Sequence, residues 1–346
     1  MSQSRKRIFS GIQPSGEIHI GNYVGAIRNW VQLQEDYDSL ICIVDYHAIT
    51  QPYEPGEMQQ CITNAAIALL AAGIDPQRTI LFVQSAVPEH TELAWILNTV
   101  TSIGALERMT QFKEKALQHR GSQNVGLLDY PVLQTADILL YKGEVVPVGE
   151  DQVQHLELAR EITRRFNYTY AEIFPEPQAL LTRTPRIMGV DGKTKMSKSR
   201  GNTLPVLAPA EELWNKLRTA VTDERRQRLS DPGDPEVCNI YTLHQAMSQP
   251  EQIEMVHTEC RRAGIGCVDC KKLLFENLKA EIVPFQERAR ELTAAPEQVT
   301  EVLRDGARRA DAIAQPVMEM VRAAMGLRPV GELELPPRSK ARPDEQ

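Results

Sequence analysis

Apolar residues in the first third of the chain follow two alternating spacings. Short unbroken runs, Arg7-Ile8-Phe9-Ser10, Leu40-Ile41-Cys42-Ile43-Val44 and Ile80-Leu81-Phe82-Val83, predict strands. Runs without polar alternation belong to strands covered on both faces. Between them, Ile20, Tyr23, Val24, Ile27, Val31 and Gln34 recur near a 3.6-residue period, and residues 57–72 form an alanine-rich helical stretch closed by Gly73. Buried strands separated by helices predict an α/β fold with a doubly wound parallel sheet.

From about 89 to 142 the spacing is mostly helical, which predicts a helical insertion between two halves of the sheet. Val145-Val146-Pro147-Val148 predicts a further strand and Glu150 to Phe166 a helix, whereas 174–186, with Pro175, Pro177 and Pro185, reads as loop. After residue 205 strand signals fade and helices are expected to about 326. The expected division is 1–204 for the sheet-bearing domain, 205–328 for an all-helical domain and 329–346, rich in Pro and charge, for a disordered tail.

Composition adds limits. The 346 residues are 42% hydrophobic and 25% charged, as in ordinary globular proteins. No apolar run approaches the roughly 20 residues of a membrane span, and no long apolar stretch follows the basic N-terminus, so a cytoplasmic protein without a signal peptide is expected. A net charge of −7 argues against indiscriminate nucleic-acid binding, while leaving room for a specific RNA partner on a local basic patch.

Two segments carry candidate chemistry. Strand, glycine-rich turn and helix aim free N–H groups at an anion, and here the turn places His19 and Asn22 around Gly21 at the helix entrance. Far along the chain, Gly192-Lys193-Thr194-Lys195-Met196-Ser197-Lys198-Ser199-Arg200-Gly201-Asn202 is a basic loop suited to a polyphosphate. Together, His19-Ile20-Gly21-Asn22 and Lys195-Met196-Ser197-Lys198-Ser199 resemble the two signatures of class I aminoacyl-tRNA synthetases, whose catalytic domain has the Rossmann fold. The second matches at all five positions; the first has Asn22 where histidine is usual, a variant familiar in the tryptophan-specific branch.

The resemblance implies attack of an amino-acid carboxylate on the α-phosphate of ATP, with magnesium, and transfer of the amino acid to tRNA. It gives catalytic roles to Lys195, Lys198, His19 and Asn22. It places ATP against Gln13, Pro14, Ser15, Gly21, Gly149, Glu150, Asp151, Ile187, Met196, Ser197 and Ser199 as well. Phe9 to Gly16, Leu106 to Lys113, Ala136 to Tyr141 and Val146 to Gln152, continued by Gln154-His155, resemble tryptophanyl-tRNA synthetases over about residues 7–327. A closed pocket for indole needs one fixed acceptor, because its N–H only donates, and Asp137 suits that task. Phe9, Val146 and Val148 would wall the pocket, with Gln13, Tyr130, Gln134 and Gln152 orienting the amino and carboxylate groups. The spacing of Tyr130, Gln134 and Asp137 also resembles tyrosyl-tRNA synthetases, so tyrosine stays a rival substrate. A small-molecule nucleotidylyltransferase and a non-catalytic synthetase-like RNA-binding paralogue are the alternatives from other classes.

Of six cysteines, Cys42 and Cys61 lie in apolar segments and read as core. Cys238, Cys260, Cys267 and Cys270, with gaps of 21, 6 and 2 residues, read as a four-thiolate site for zinc or a [4Fe–4S] cluster. The segment Ile265 to Lys272 resembles a subset of tryptophanyl-tRNA synthetases that carry the cluster, in a helical domain that approaches the tRNA anticodon, away from the ATP-handling segments. The resemblance also implies a homodimer.

Overall fold

The computed structural model describes residues 5–14, 16–110, 124–149, 152–181, 187–197 and 200–327. Its sheet holds β1 (Arg7–Ile12), β2 (Asp38–Ile43), β3 (Thr79–Val83), β4 (Val145–Val148) and β5 (Gln178–Leu181). All neighbours pair in parallel, in the order β3-β2-β1-β4-β5. The order reverses between β1 and β4, and at such a point the loops leaving the two carboxyl ends diverge and open a crevice. The His19 turn follows β1 there and Gly149 follows β4, whereas the basic loop comes after β5 in the chain.

The strands sort their side chains by alternation. Ile41, Ile43 and Leu81 point into one core, Phe9, Leu40, Cys42, Ile80 and Phe82 into the other. The first core is closed by α1 (Ile20–Asn22), a π turn at Tyr23–Ile27, α2 (Arg28–Leu33) and α4 (Met58–Ala72), α3 being the single turn Asp45–Ala48. The second is closed by α5 (Glu89–Asn98), α6 (Ile103–Glu107), α7 (Val125–Leu140) and α8 (Val153–Thr169). The doubly wound α/β expectation is therefore met, with α5, α6 and α7 lying between β3 and β4 in the chain.

The helices after residue 205 are α9 (Ala210–Thr219), α10 (Asn239–Met247), α11 (Pro250–Arg261), α12 (Cys267–Ala294) and α13 (Pro296–Ala324). Apart from α11, they share the two cores with the sheet. Leu274, Leu278, Ile282 and Phe285 of α12 join the first core, and Ala310, Ala314, Val317 and Val321 of α13 the second. Gly306 brings α13 so close to β3 that a Cβ at this position would overlap the Leu81 carbonyl oxygen.

One expectation is corrected. Residues 178–181 lie in the stretch read as loop, yet they form β5. This strand is short and largely exposed at the sheet edge, its apolar run is only Ala179-Leu180-Leu181, and the prolines around it, which read as loop, are of the kind found at edge strands. Cys42 is buried and Cys61 half-buried, both as free thiols. The tail from Arg328 lies outside the described residues.

Candidate functional site

His19 caps α1. Its Nδ1 accepts the Asn22 amide at 3.3 Å while Asn22 Oδ1 accepts the His19 amide at 3.2 Å, a reciprocal capping box. Burial, then the charge of Lys195, lowers the His19 pKa to about 4, so the ring is neutral at pH 7. With Nδ1 used as acceptor, the ring proton sits on Nε2, where it can donate to a phosphate oxygen. Asn22 spends its oxygen on the cap and offers a ligand its amino group. The π turn that follows widens the helix directly behind this entrance, a placement frequent at functional sites.

The two distant signatures meet. Ile20 N–H donates to the Leu204 carbonyl at 2.9 Å and Val206 N–H to the Ile18 carbonyl at 3.0 Å. These bonds fix the exit of the basic loop against the His19 turn. Gly21 faces Met196, whose Cβ would lie 3.5 Å from any Cβ placed there. Ile187 and Met196 bury their side chains in the first core, so Ile187 can offer a ligand only its backbone.

Asn202 organises the loop. Its Nδ2 donates to Asp191 Oδ2 and Thr194 Oγ1, both at 3.0 Å, and to the Lys195 carbonyl at 3.3 Å. Its Oδ1 accepts the Ser197 amide at 2.8 Å. Asp191 Oδ1 accepts the Lys193 amide, and the bond from Asn202 heads the hydrogen bonds that hold its carboxyl below the usual range. This small buried amide, absent from the sequence expectations, holds Lys195 and Ser197 in place.

Asp137 is buried on α7 and its carboxylate accepts three hydrogen bonds of 2.7 Å, from His47 Nε2, Gln84 Nε2 and His90 Nδ1. Burial alone raises a carboxyl, but His47, by charge and hydrogen bond, and then His90 outweigh it, so Asp137 is held well below the usual range. His90 Nε2 meets the Tyr141 hydroxyl at 2.7 Å, and in the neutral ring that donates from Nδ1 it is the acceptor. The result is an ionised, acceptor-only carboxylate. About four lone-pair sites exist on a carboxylate, so one on Oδ2 can still receive a ligand N–H.

Around it, Phe9 stacks on Tyr141 with ring centroids 5.6 Å apart, and Val146 and Val148 are buried on the same side of the sheet. Tyr130 lies edge-on to His47, and its hydroxyl meets His155 Nε2 at 2.7 Å. Gln13 and Gln134 are half-buried, Pro14 is buried, and Gln152 N–H donates to the Gly149 carbonyl at 3.0 Å. Ser15, Glu150, Asp151, Lys198 and Ser199 lie outside the described residues. His47, Gln84 and His90 were not anticipated. Their only sequence signal is position, since His47 and Gln84 closely follow the carboxyl ends of β2 and β3, where open α/β sheets bind ligands.

The four cysteines come from three segments, Cys238 before α10, Cys260 late in α11, and Cys267 and Cys270 in the first turn of α12. Burial pushes the Cys270 thiol up to about 12, and the charges of Cys238, Cys260 and Cys267 add to the effect, so the four are electrostatic neighbours. Arg226 NH1 reaches the sulfurs of Cys267 and Cys260 at 3.8 and 4.0 Å, and His244 Nε2 lies 3.4 Å from that of Cys270. Among the described residues no three His, Cys, Asp or Glu side chains converge on one metal-ion position. The donors nevertheless fit an anionic thiolate-bound group, with four thiols and a guanidinium to offset their charge.

Residues 1–282 match the family model of tRNA synthetases class I (W and Y). The chain is 52% identical to a tryptophan–tRNA ligase of Deinococcus radiodurans over 92% of its own length and 98% of the relative's. It is 45% identical to one of Thermotoga maritima, over 93% and 99%. Among solved structures, it superposes on a tryptophanyl-tRNA synthetase of Campylobacter jejuni complexed with ADP and tryptophan, with a TM-score of 0.81, 38% identity, and coverage of 93% of this chain and 100% of that one. With the paired signatures at the switch point of a doubly wound sheet and relatives this similar along nearly the whole length, the chain belongs to the class I tRNA synthetases, in the branch of the tryptophan–tRNA ligases.

Proposed function

We infer that the chain activates L-tryptophan with ATP and transfers it to tRNA(Trp). A carboxylate oxygen of tryptophan attacks the α-phosphorus of magnesium-bound ATP, the bond to pyrophosphate breaks, and tRNA then displaces AMP from the adenylate. The observation carrying this reading is the meeting of the Lys195–Ser197 segment with the His19–Asn22 turn at the switch point. This chemistry needs positioned charge and no protein nucleophile. Lys195 and Lys198 stabilise charge growing on the pyrophosphate side, and His19 and Asn22 donate to the triphosphate. Gln13, Pro14, Ser15, Gly21, Gly149, Glu150, Asp151 and the Ile187 backbone hold the nucleotide. Asp137 accepts the indole N–H above Phe9, Val146 and Val148, while Tyr130, Gln134, Gln13 and Gln152 orient the ammonium and carboxylate.

The helical region after residue 205 approaches the tRNA anticodon, and the working form is a homodimer in the cytoplasm. Cys238, Cys260, Cys267 and Cys270 would hold a [4Fe–4S] cluster, with zinc the alternative; either cross-links three segments and supplies no group to the chemical step. Comparing tryptophan- with tyrosine-dependent ATP–pyrophosphate exchange tests the substrate, and a preference for tyrosine overturns it. Iron, sulfide and zinc analysis after anaerobic purification tests the cluster, and zinc without iron defeats it.

A further inference from the structure

The cysteine segments were expected to lie apart from the ATP-handling loop, but two of their neighbours touch its base. Asn239, immediately after Cys238, is buried, and its Nδ2 donates to the Gly189 carbonyl at 2.7 Å. Gly189 closes the basic hairpin, donating its N–H to the Thr194 carbonyl at 2.7 Å. A second tie lies one residue on, where Val221 N–H donates to the Val190 carbonyl at 2.8 Å. The residue before Val221 is Ala220, whose carbonyl accepts Lys271 Nζ at 2.7 Å, and the same ammonium reaches the Arg218 carbonyl at 2.9 Å. Lys271 immediately follows Cys270 and is 6% exposed. The hairpin turn rests on the same support, since a Cβ at Gly192 would meet Val221 at 3.4 Å and Asn239 at 3.9 Å.

A buried ammonium is retained at a cost, so its geometry points to a task. Among the described residues no carboxylate pairs with Lys271, and its hydrogen bonds to the Arg218 and Ala220 carbonyls both hold the turn that bonds Val190. We propose that Asn239 and Lys271 are positioning residues for amino-acid activation, fixing the base of the loop that carries Lys195 and Lys198 to the segments that carry Cys238 and Cys270. The proposal rests on the reading of the loop as the ATP-binding element. Neither residue touches substrate; each acts through the backbone at Gly189 or Val190.

Asn239→Ala and Lys271→Met in the full chain test it, with KM for ATP and for tryptophan measured separately in pyrophosphate exchange. Losing one buried hydrogen bond at the base weakens ATP use about tenfold. KM for tryptophan stays within about twofold, because the Asp137 pocket lies across the sheet. Tryptic cleavage at Lys193, Lys195 and Arg200 accelerates in both variants. Unchanged ATP KM with unchanged cleavage in folded variants overturns the proposal, as does an equal loss for both substrates, which a general structural defect produces. Asn239→Ser and Lys271→Arg carry the same comparison where the first variants do not fold. Absence of exchange in the wild-type chain defeats the reading of the reaction instead, and cleavage rates then still decide whether the loop is anchored here.

Discussion

Replacing Asp137 by asparagine changes almost no volume and reverses the chemistry at one atom. In the native site Oδ1 accepts from Gln84 and His90, and Oδ2 from His47. An asparagine that turned its amino group toward Gln84 and His90 would face two donors. It therefore keeps its oxygen there and points the amino group at His47, which can accept by changing tautomer. The lone pair that could receive an indole N–H is thereby replaced by a donor. A hydrogen bond to a charged acceptor is worth about 1.5–3 kcal/mol, and a buried donor left unpaired costs about 1–3 kcal/mol. Together they predict a loss of about 10²–10⁴ in kcat/KM for tryptophan. The assay is tryptophan-dependent ATP–pyrophosphate exchange, with KM for ATP and thermal denaturation as controls, and with 1-methyltryptophan as a substrate that has no N–H to lose. The methylated substrate should be poor for the wild-type chain and little affected by the substitution. A folded Asp137→Asn protein with native kcat/KM for tryptophan would refute the acceptor role.

Further outcomes follow from other parts of the molecule. Lys198→Ala lowers the exchange rate at least about tenfold, a floor under the usual loss for one preorganised charge; an unchanged rate removes Lys198 from the mechanism. The His19 pKa lies near 4 folded against 6.5 unfolded, so the unfolded chain takes up the proton first. His19 therefore costs no stability above pH 6.5 and erodes it as pH falls from 6.5 to 4; His19→Gln flattens that part of the acid-denaturation curve, and an unaltered curve argues that the ring is not held neutral. Gly306→Ala ordinarily favours a helix, but here the added methyl overlaps Leu81 and should destabilise by about 1–3 kcal/mol in urea unfolding; a stabilised variant contradicts the packing.

The first four strands and the alanine-rich helix were legible because buried parallel strands are written as unbroken apolar runs. The His19 and Lys195 segments were legible as chemistry because several donors crowd a short stretch. What escaped has physical reasons. The strand at 178–181 is short and largely exposed, and its three apolar residues stand among prolines that read as loop. His47, Gln84 and His90 stand 90, 53 and 47 residues from Asp137, each alone indistinguishable from a solvated or satisfied polar residue. Asn202 does its work through four partners, and nothing in its spacing names them. Asn239 and Lys271 have no signal in the sequence beyond standing next to cysteines, and only folding brings them under the loop.

The glycine contact between α13 and β3 has a bearing on how the molecule is made. β3 ends the sheet on its side, and the Leu81 backbone lies directly against Gly306. An open strand edge is a template for pairing with another chain, and covering it is one of the ways proteins avoid aggregation. The cover here is drawn from residues 296–324, translated more than 200 residues after the strand it shields. During synthesis the edge stays bare until residues 296–324 have emerged, so termination before them leaves that strand margin uncovered.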